Sequence, residues 1–252
     1  MLVRSWNLYH GNPSPPGGTN YLERMVRLAS EDQPEVLCLQ EVPVWALSHL
    51  TEWSGMTVLG DVAKRPTLGP LPSTAEVGRR LTALNPGLLR SAFSGQANAL
   101  LTTLEVLGRW RCVLNPRGVR RRADVDVLAR LAWVKERRIC QAARLRLPDG
   151  KTAIVANLHA SHVDPRVTLT EVERAAAFAT GLAAPDEPVV LAGDFNTAPD
   201  LGAYGFDEAG WGIDHVLVRG LPAGEQRAWP EERRRLDGVL LSDHAPVERE
   251  VG

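Results

Sequence analysis

The stretch VVLAGDFNTAPD, residues 189–200, joins a short apolar run to Gly-Asp-Phe-Asn and then to a proline. Its five leading small or apolar residues are typical of a buried β-strand. Buried strands commonly end in a neutral turn, whereas this one ends in a carboxylate and an amide two residues apart, Asp194 and Asn196. The end of this strand is therefore a candidate functional site.

The segments before this strand predict a hairpin and a helix. Residues 138–159, RICQAARLRLPDGKTAIVANLH, have the pattern of a β-hairpin with PDG as its turn. Asp164 and Pro165 are suited to the N-cap and first position of a helix. The apolar face of that helix is predicted to contain Leu169, Val172, Ala176, Ala179 and Ala183.

The rest of the chain alternates between strand and helix patterns. Further strands are predicted at residues 2–8, 35–42, 97–106, 212–218 and 245–251. Helices are predicted from about Asn20, where Asn20 and Glu23 resemble a capping box, and over residues 45–53. Residues 61–96, interrupted by four prolines, predict long loops around one or two helical turns. The simplest interpretation is one α/β domain over residues 1–252, with strands at the centre.

Composition restricts the function classes. The 252 residues carry a net charge of -1, so no global charge favours nucleic-acid or membrane binding. No segment has the length of a signal peptide or membrane span, so we expect a cytoplasmic protein without a membrane partner. Cys38 and Cys140 lie in apolar runs, where they are more typical of buried side chains than of a disulfide or zinc site. Nothing indicates an oligomeric state.

Polar residues collect at the ends of the predicted strands. One carboxylate in such a place is usually a solvated turn residue or a helix cap, but six strand ends with nine such residues in one chain are different because strand ends converge. Their oxygens suit a hard cation such as Mg²⁺, and histidines can move protons near neutral pH. No serine elbow, glycine-rich phosphate loop or Cys/His cluster competes with this interpretation. The residues concerned are Asn7, Glu41, Asn157, His159, Asp194, Asn196, Asp214, Asp243 and His244.

In chain order, WN, LQE, NLH, GDFN, IDHVLV and SDHAPV resemble the motif series of the endonuclease/exonuclease/phosphatase superfamily. This group includes pancreatic-type deoxyribonucleases, apurinic endonucleases, sphingomyelinase-type lipases and inositol polyphosphate 5-phosphatases. The resemblance runs from Trp6 to Val247 and implies a four-layered α/β sandwich, with two mixed sheets packed face to face and helices outside. It also implies phosphoester hydrolysis with Mg²⁺, for which Mn²⁺ can substitute.

The resemblance implies metal ligands by position. Glu41 would be the principal Mg²⁺ ligand, with Asn7 beside it and Asp243 near the same cation or a second one. Apurinic endonucleases carry LQETK and an acidic residue where this chain has LQEVP and Tyr9. We therefore place the chain nearer the deoxyribonuclease-like, broad bacterial branch.

The resemblance also implies catalytic roles. Asp194 would polarise or deprotonate the attacking water, and Asn196 would hold the water and a phosphate oxygen. His244, oriented by Asp214, would contact the scissile phosphate. His159 would stabilise or protonate the departing oxygen.

Substrate contacts are expected near the hairpin, from Asn157 and from Arg137 and Arg138. The basic segment RGVRRR, residues 117–122, is either a nucleic-acid path or a solvated surface, and Trp133 either stacks on a base or packs in the core. His10 either approaches the site or is an exposed loop histidine, and the exposed loop is the preferred interpretation. The basic residues 233–235 are expected to be a solvated surface.

These observations predict a phosphodiesterase whose substrate is a nucleic acid or a nucleotide-like molecule. One alternative is hydrolysis of a phospholipid or sugar phosphate, which would need an apolar docking loop or a dense basic pocket. Another is a non-catalytic binding module that keeps the fold. Such a module usually loses Glu41, Asp194 or His244, and this chain retains all three.

Overall fold

The computed structural model of the chain describes residues 1–68, 71–84, 93–115, 133, 137–210 and 212–252. Within these ranges the strands are β1 (Leu2–Asn7), β2 (Pro13–Ser14), β3 (Val36–Val42), β4 (Thr57–Lys64), β5 (Thr67–Leu68), β6 (Leu71–Pro72), β7 (Gln96–Thr102), β8 (Glu105–Val113), β9 (Ile139–Arg146), β10 (Thr152–His159), β11 (Val189–Asp194), β12 (Asp214–Arg219), β13 (Arg227–Ala228), β14 (Arg235–Leu236), β15 (Val239–Leu241) and β16 (Val247–Glu250). The α-helices are α1 (Leu22–Ser30), α2 (Leu50–Ser54), α3 (Ala75–Leu84) and α4 (Pro165–Leu182), and 3₁₀ helices cover Tyr9–Gly11, Val44–Ser48, Gly202–Tyr204 and Glu231–Arg234. No helix in these ranges is long and apolar enough to cross a membrane.

Two mixed sheets form the centre of the molecule. The six-stranded sheet has the order β13-β16-β1-β3-β7-β4, and the five-stranded sheet has the order β12-β11-β10-β9-β8. Each contains one parallel pair, β1 with β3 and β10 with β11, among antiparallel neighbours. The predicted α/β class is confirmed.

Three apolar cores define the layers. One core lies between the sheets and contains Val3, Cys38 and Leu100 from the six-stranded sheet, with Val155 and Val190 from the other. A second packs the outer face of the six-stranded sheet against α1 and α2. The third packs the outer face of the five-stranded sheet against α4. Helices therefore cover the outer faces, and the two sheets face each other.

The hairpin and the helix that precede β11 in the chain form as predicted. Strands β9 and β10 pair in antiparallel register, and the turn closes with hydrogen bonds between Leu147 and Lys151 and between Gly150 and Leu147. Helix α4 begins after Asp164, whose side chain accepts a hydrogen bond from the Arg166 amide. Leu169, predicted on the apolar face, is 40% exposed instead. The buried face of α4 includes Glu171, a position that the apolar pattern did not assign to the core.

Three predicted segments differ from the structure. The loop prediction for residues 61–96 missed the second half of β4, which pairs with β7 along its length, and the one or two helical turns predicted there form the ten-residue helix α3. The run over residues 97–106 is not one strand, because β7 lies in the six-stranded sheet and β8 in the other. The helix predicted over residues 45–53 is a 3₁₀ turn followed by the short α2. In each case strand pairing or packing outweighed the local pattern.

The close approach of β10 and β11 requires a glycine before Asp194. Gly193 has a φ of 144°, and a Cβ atom there would lie 2.0 Å from the carbonyl oxygen of Leu158 on β10. This backbone contact brings the carboxyl ends of β10 and β11 together, with His159 opposite Asp194 in register. The glycine of the GDFN motif thus positions the carboxylate that follows it.

Candidate active site

The carboxyl ends of the two parallel strand pairs meet across the sheets. Asn7, the last residue of β1, donates from Nδ2 to Oδ2 of Asp194 at 2.9 Å. The Oδ1 atom of Asn7 accepts a hydrogen bond from the Tyr9 amide. Asp194 is thereby held between a strand of each sheet, and it is buried. It forms the centre of the candidate site.

Glu41 reaches the same region because β3 is irregular near its end. The β3–β7 register shifts between Leu39 and Val42, and Glu41 has a φ of 52°. A bulge of this kind redirects a side chain at the edge of a functional site. Oε2 of Glu41 lies 3.1 Å from Nε2 of His10, and Oε1 lies 3.8 Å from Nε2 of His159.

The expectation of an exposed His10 is wrong. His10 is buried and contacts Glu41, since the 3₁₀ turn after β1 folds back beside β3. Its φ of 53° allows this tight turn. The sequence signal was weak, because a histidine before Gly-Asn has the composition of an ordinary loop.

Asp194, Asp214 and His244 form an acid–histidine–acid arrangement. Nδ1 of His244 lies 2.8 Å from Oδ2 of Asp214, and Nε2 lies 3.9 Å from Oδ2 of Asp194. Burial alone would lower the pKa of His244, but the hydrogen bond to Asp214 and its negative charge raise that pKa to about 10. Burial, followed by the negative charges of Asp214 and Glu41, raises the pKa of Asp194 to about 7. His244 is therefore cationic at neutral pH, and Asp194 can exchange a proton there.

A single turn carries Asp243 and His244 to the site. Ser242, with a φ of 60°, donates from Oγ to the Asn7 carbonyl and accepts from the His244 amide. Burial, together with the negative charge of Glu41, raises the pKa of Asp243. Nη1 of Arg234 donates to the carbonyls of Leu241, Ser242 and His244.

The buried position of Arg234 corrects the solvated surface expected for residues 233–235. Arg234 is only 8% exposed, and it holds the turn that follows β15. Arg233 is half-exposed, with its guanidinium 3.6 Å from the Trp229 ring centroid. The neighbouring glutamates suggested a charged surface, and the sequence held no signal for the burial of Arg234.

His159 faces Asp194 from the end of β10. Its Nε2 lies 3.4 Å from Oδ2 of Asp194, and Nη1 of Arg138 lies 2.9 Å from the same nitrogen. The Nδ1 atom is 2.9 Å from Nε2 of Gln96, a contact that sequence reasoning did not anticipate. Burial and then the positive charge of Arg138 lower the pKa of His159 well below its usual value. Nη1 of Arg138 also lies 3.0 Å from Nδ1, so the guanidinium lies against both ring nitrogens, and its positive charge favours the uncharged form of the ring.

Asn196 lies beside the Asp194 carboxylate. Its backbone amide donates to Oδ1 of Asp194 at 3.0 Å, and its Nδ2 donates to the Ala160 carbonyl. The φ of Asn196 is 53°, a conformation that asparagine adopts more readily than most residues. The turn thus ties the strand end of β11 to the residue after His159.

Asn157 occupies a different place from the one expected. Its side chain is fully buried between the sheets, where Nδ2 donates to the carbonyls of Leu39 and Ala99 and Oδ1 accepts from Gln40. This placement does not support the substrate contact expected for Asn157. The amide instead joins the two sheets directly beneath the site, and it satisfies the buried polar groups there.

The remaining substrate-contact candidates separate into buried, exposed and undescribed residues. Arg138 is buried against His159, whereas Arg137 is exposed. The basic segment 117–122 lies outside the described residues. Trp133 is fully buried and donates from Nε1 to Glu171, so it packs in the core and offers no stacking face for a base.

The donor set fits a divalent cation. Glu41 lies close enough to Asp194 and Asp243 for its negative charge to raise the pKa of both carboxyl groups. Burial, with the charges of Asp243 and Glu41, also raises the pKa of the neighbouring Tyr9 phenol. Mg²⁺ and Mn²⁺ bind carboxylate and amide oxygens. Oδ1 of Asn7 accepts one hydrogen bond and has a second lone pair that can bind a cation beside the carboxylates. Asp194, Asp214 and His244 also lie within ligand distance of one another, but a charged imidazole bound to Asp214 is a poor metal ligand.

The arrangement combines three chemical functions in one place. Carboxylate oxygens from Glu41, Asp194 and Asp243 can bind a cation. Asp194 can accept a proton, and its position is set by Asn7 and Asn196. Cationic groups approach from two sides, His244 with Asp214 behind it and Arg138 behind His159. Such groups can stabilise the negative charge that develops when a bound anionic group reacts with water.

A model of the Endonuclease/Exonuclease/phosphatase family matches residues 5–244. The chain belongs to this family. Its members are hydrolases of phosphate esters and generally depend on a divalent metal, which agrees with the carboxylate cluster. No curated protein sequence matches this chain significantly.

Solved structures show the same fold at low sequence identity. A functionally unknown conserved protein from Enterococcus faecalis V583 aligns over 100% of this chain and 99% of its own, with a TM-score of 0.70 and 16% identity. A mannosyl-6-phosphatase from Bacteroides thetaiotaomicron aligns over 100% and 99%, with a TM-score of 0.65 and 16% identity. TDP2 from Caenorhabditis elegans aligns over 100% and 74%, with a TM-score of 0.62 and 14% identity. At 14–16% identity, these similarities show that the chain shares the architecture of the three proteins, and they do not identify its substrate.

Proposed function

We propose that this family member is a magnesium-dependent phosphodiesterase that acts on nucleic acid or a nucleotide-like substrate. The supporting observation is the position of Asp194. Its carboxylate contacts Asn7, faces His159 at 3.4 Å and His244 at 3.9 Å, and lies beside Glu41. A general base, a cation site and two histidines are thus directed at one small volume.

The chain's own residues divide the work of hydrolysis. Asp194 accepts a proton from the attacking water, as its raised pKa favours. The cationic His244, held by Asp214, stabilises negative charge on the phosphate oxygens. His159, which lies near the same Asp194 oxygen as His244, serves the departing oxygen together with Arg138. Bound Mg²⁺, held by Glu41, Asp243 and Asn7, would supply further charge neutralisation and lower the pKa of a bound water.

The charge of the site favours a diester over a monoester. Within the described ranges, the cationic side chains that reach Asp194 or His159 are His244 and Arg138. A diester carries one negative charge and a monoester close to two, and the latter is better matched by a denser basic pocket. The sugar-phosphate alternative nevertheless has one observation in its favour, because a mannosyl-6-phosphatase shares the fold over the whole chain.

A substrate panel tests the proposal. The purified protein is assayed with Mg²⁺, Mn²⁺ or EDTA on single- and double-stranded DNA, RNA, cyclic dinucleotides, lysophospholipids, inositol phosphates and a hexose 6-phosphate. Asp194→Asn serves as the inactive control. We expect metal-dependent cleavage of a nucleic acid or dinucleotide that the control lacks. Cleavage confined to the hexose phosphate or to a lipid would contradict the diesterase proposal, and cleavage of none would reject an enzymatic role on these substrates.

A further inference from the structure

Glu171 is a carboxylate on the buried face of α4, a face otherwise formed mainly by apolar side chains. It is fully buried, and burial raises its pKa. The side chain accepts hydrogen bonds from the Ser161 amide at 2.6 Å, from the Ser161 hydroxyl at 3.1 Å and from the Trp133 indole. A buried carboxylate costs stability unless its partners offset its desolvation, so its three donors indicate a specific task.

The first branch of this network leads to His159. Ser161 lies two residues after His159, and its carbonyl accepts from Thr168 on α4. Between them, Ala160 donates its amide to the Asp194 carbonyl and accepts from the Asn196 side chain. Anchoring Ser161 to α4 therefore fixes the direction in which the chain leaves β10, immediately after the histidine that faces Asp194.

The second branch leads to Arg138. The Trp133 carbonyl accepts from Nδ2 of Asn115, and Oδ1 of the same asparagine accepts from the Arg138 amide. Nη1 of Arg138 then contacts the ring of His159. The two branches close a ring of contacts from Glu171 through Trp133, Asn115 and Arg138 to His159 and back through Ser161.

We propose that Glu171 is a positioning residue that, through Ser161 and Trp133, sets His159 and Arg138 relative to each other at the leaving-group side of the site. The proposal rests on the phosphoesterase function above. Glu171 touches neither Asp194 nor the phosphate position, and it acts only through the two residues it holds. Through the same hydrogen bonds it connects Trp133 to the reaction centre.

Glu171→Gln is the sharpest test because it keeps the volume of the side chain. Whichever oxygen becomes the amide nitrogen, that nitrogen faces at least one N–H donor, so at least one of the three hydrogen bonds is lost. Glu173→Gln is the matched control, since Glu173 lies two residues away on the exposed face of α4. Trp133→Phe removes the indole donor together with part of the buried ring volume, and it serves as the second variant if Glu171→Gln does not fold.

The first readout is the ¹⁵N NMR spectrum of the histidine rings at constant pH, with His159 assigned from His159→Ala. We expect Glu171→Gln or Trp133→Phe to move the His159 resonances, and Glu173→Gln to leave them in place. Unmoved His159 resonances in both test variants would overturn the proposal. This measurement does not depend on turnover, so it separates failure of the positioning role from failure of the proposed function.

The second readout is kinetic and uses an alkyl diester and a nitrophenyl diester. In the parent background, Glu171→Gln should lower kcat on the alkyl diester by on the order of 10-fold, with less effect on the nitrophenyl diester. In the His159→Ala background the same substitution should have little further effect. Equal losses on both substrates that persist without His159 would show a general structural role and overturn the proposal. A parent inactive on both diesters would instead count against the proposed function alone.

Discussion

Five side chains around Asp194 sit on backbone with positive φ, a conformation that is rare for residues other than glycine. Each such residue costs of order 1 kcal/mol or more, and such residues collect at functional sites. Here the strained conformations turn Glu41 and Asn196 toward Asp194 and shape the turns that carry His10 and His244. The residues are Tyr9, His10, Glu41, Asn196 and Ser242. The sequence motifs predicted which residues matter, but these backbone conformations were not readable from them.

At the scale of one residue, Asp194→Asn should separate activity from stability. An amide cannot accept a proton from water, so turnover should fall by about 10³-fold or more. The raised pKa of Asp194 means that its protonated form contributes stability at low pH, and that contribution is lost as pH rises from about 4 through about 7. Above pH 7, removing the charge should therefore raise the unfolding free energy of the variant by up to about 4 kcal/mol. The loss of one hydrogen bond should lower it by about 1 kcal/mol.

Urea midpoints in EDTA at pH 4.5 and pH 8 check this prediction. The variant should gain stability over the parent as pH rises, so the gap between the two midpoints should widen toward pH 8. An identical gap at both pH values would mean that the Asp194 carboxylate is not destabilised by burial. A variant with half of the parent turnover would place the general base elsewhere.

Alanine variants of the two histidines should differ in how their loss of turnover depends on the leaving group of the substrate. His244→Ala should reduce turnover of every diester, because charge develops on the phosphate oxygens in all of them. His159→Ala should reduce alkyl diester cleavage more than nitrophenyl diester cleavage, since nitrophenolate leaves with little assistance. The ratio of kcat on the two substrates measures the difference. An equal loss for His159→Ala on both would indicate charge stabilisation, and no loss on either would make His159 structural.

At the scale of the elements, Gly193→Ala tests the contact between β10 and β11. The new Cβ would meet the Leu158 carbonyl at 2.0 Å on a backbone with a φ of 144°. Strain and overpacking together predict a loss of about 3 kcal/mol or more in unfolding free energy. Gly181→Ala, on α4 with no atom near the new methyl group, should be neutral or stabilising by up to about 1 kcal/mol. Comparable denaturant midpoints for the two variants would show that β10 and β11 can move apart to accommodate the methyl group without a loss of stability.

The elements show where sequence reasoning succeeds. The PDG hairpin, the Asp164 cap and the run before Asp194 have strong local signals, and each forms as predicted. Strand β4 has none, because Gly60 and Asp61 interrupt its apolar pattern and only pairing with β7 makes it a strand. The same contrast between local signals and tertiary contacts holds at the site. The residues in the motifs were predicted from the sequence, whereas the roles of Gln96 and Arg234 are visible only from their tertiary contacts.

At the scale of the whole molecule, the two ends of the chain are joined beside the site. Strands β1 and β16 are antiparallel neighbours, so Asn7 and His244 approach from opposite ends of the sequence. The fully buried Arg4 strengthens this junction through ion pairs at 2.6 Å with both Asp32 and Glu248. Removing either carboxylate would leave part of a buried charge unpaired. Assembly of the site therefore depends on complete folding of the six-stranded sheet.

A metal titration tests the site at the scale of the folded molecule. Glu41, Asp194 and Asp243 place negative charges together in a half-buried to buried environment, so a divalent cation should bind the folded chain and stabilise it. A free cation concentration of about ten times Kd should raise the unfolding free energy by about 1.4 kcal/mol. For a domain of this size this corresponds to an increase of about 3–6 °C in Tm. Glu41→Gln should lose most of this shift because it removes a charged ligand and little volume, whereas the exposed Glu173→Gln should keep it. Thermal melts with EDTA, Mg²⁺ and Mn²⁺ provide the measurement. A parent protein with no shift would argue against a cation at this site, and a Glu41→Gln protein with the full shift would transfer the principal ligand role from Glu41 to Asp194 or Asp243.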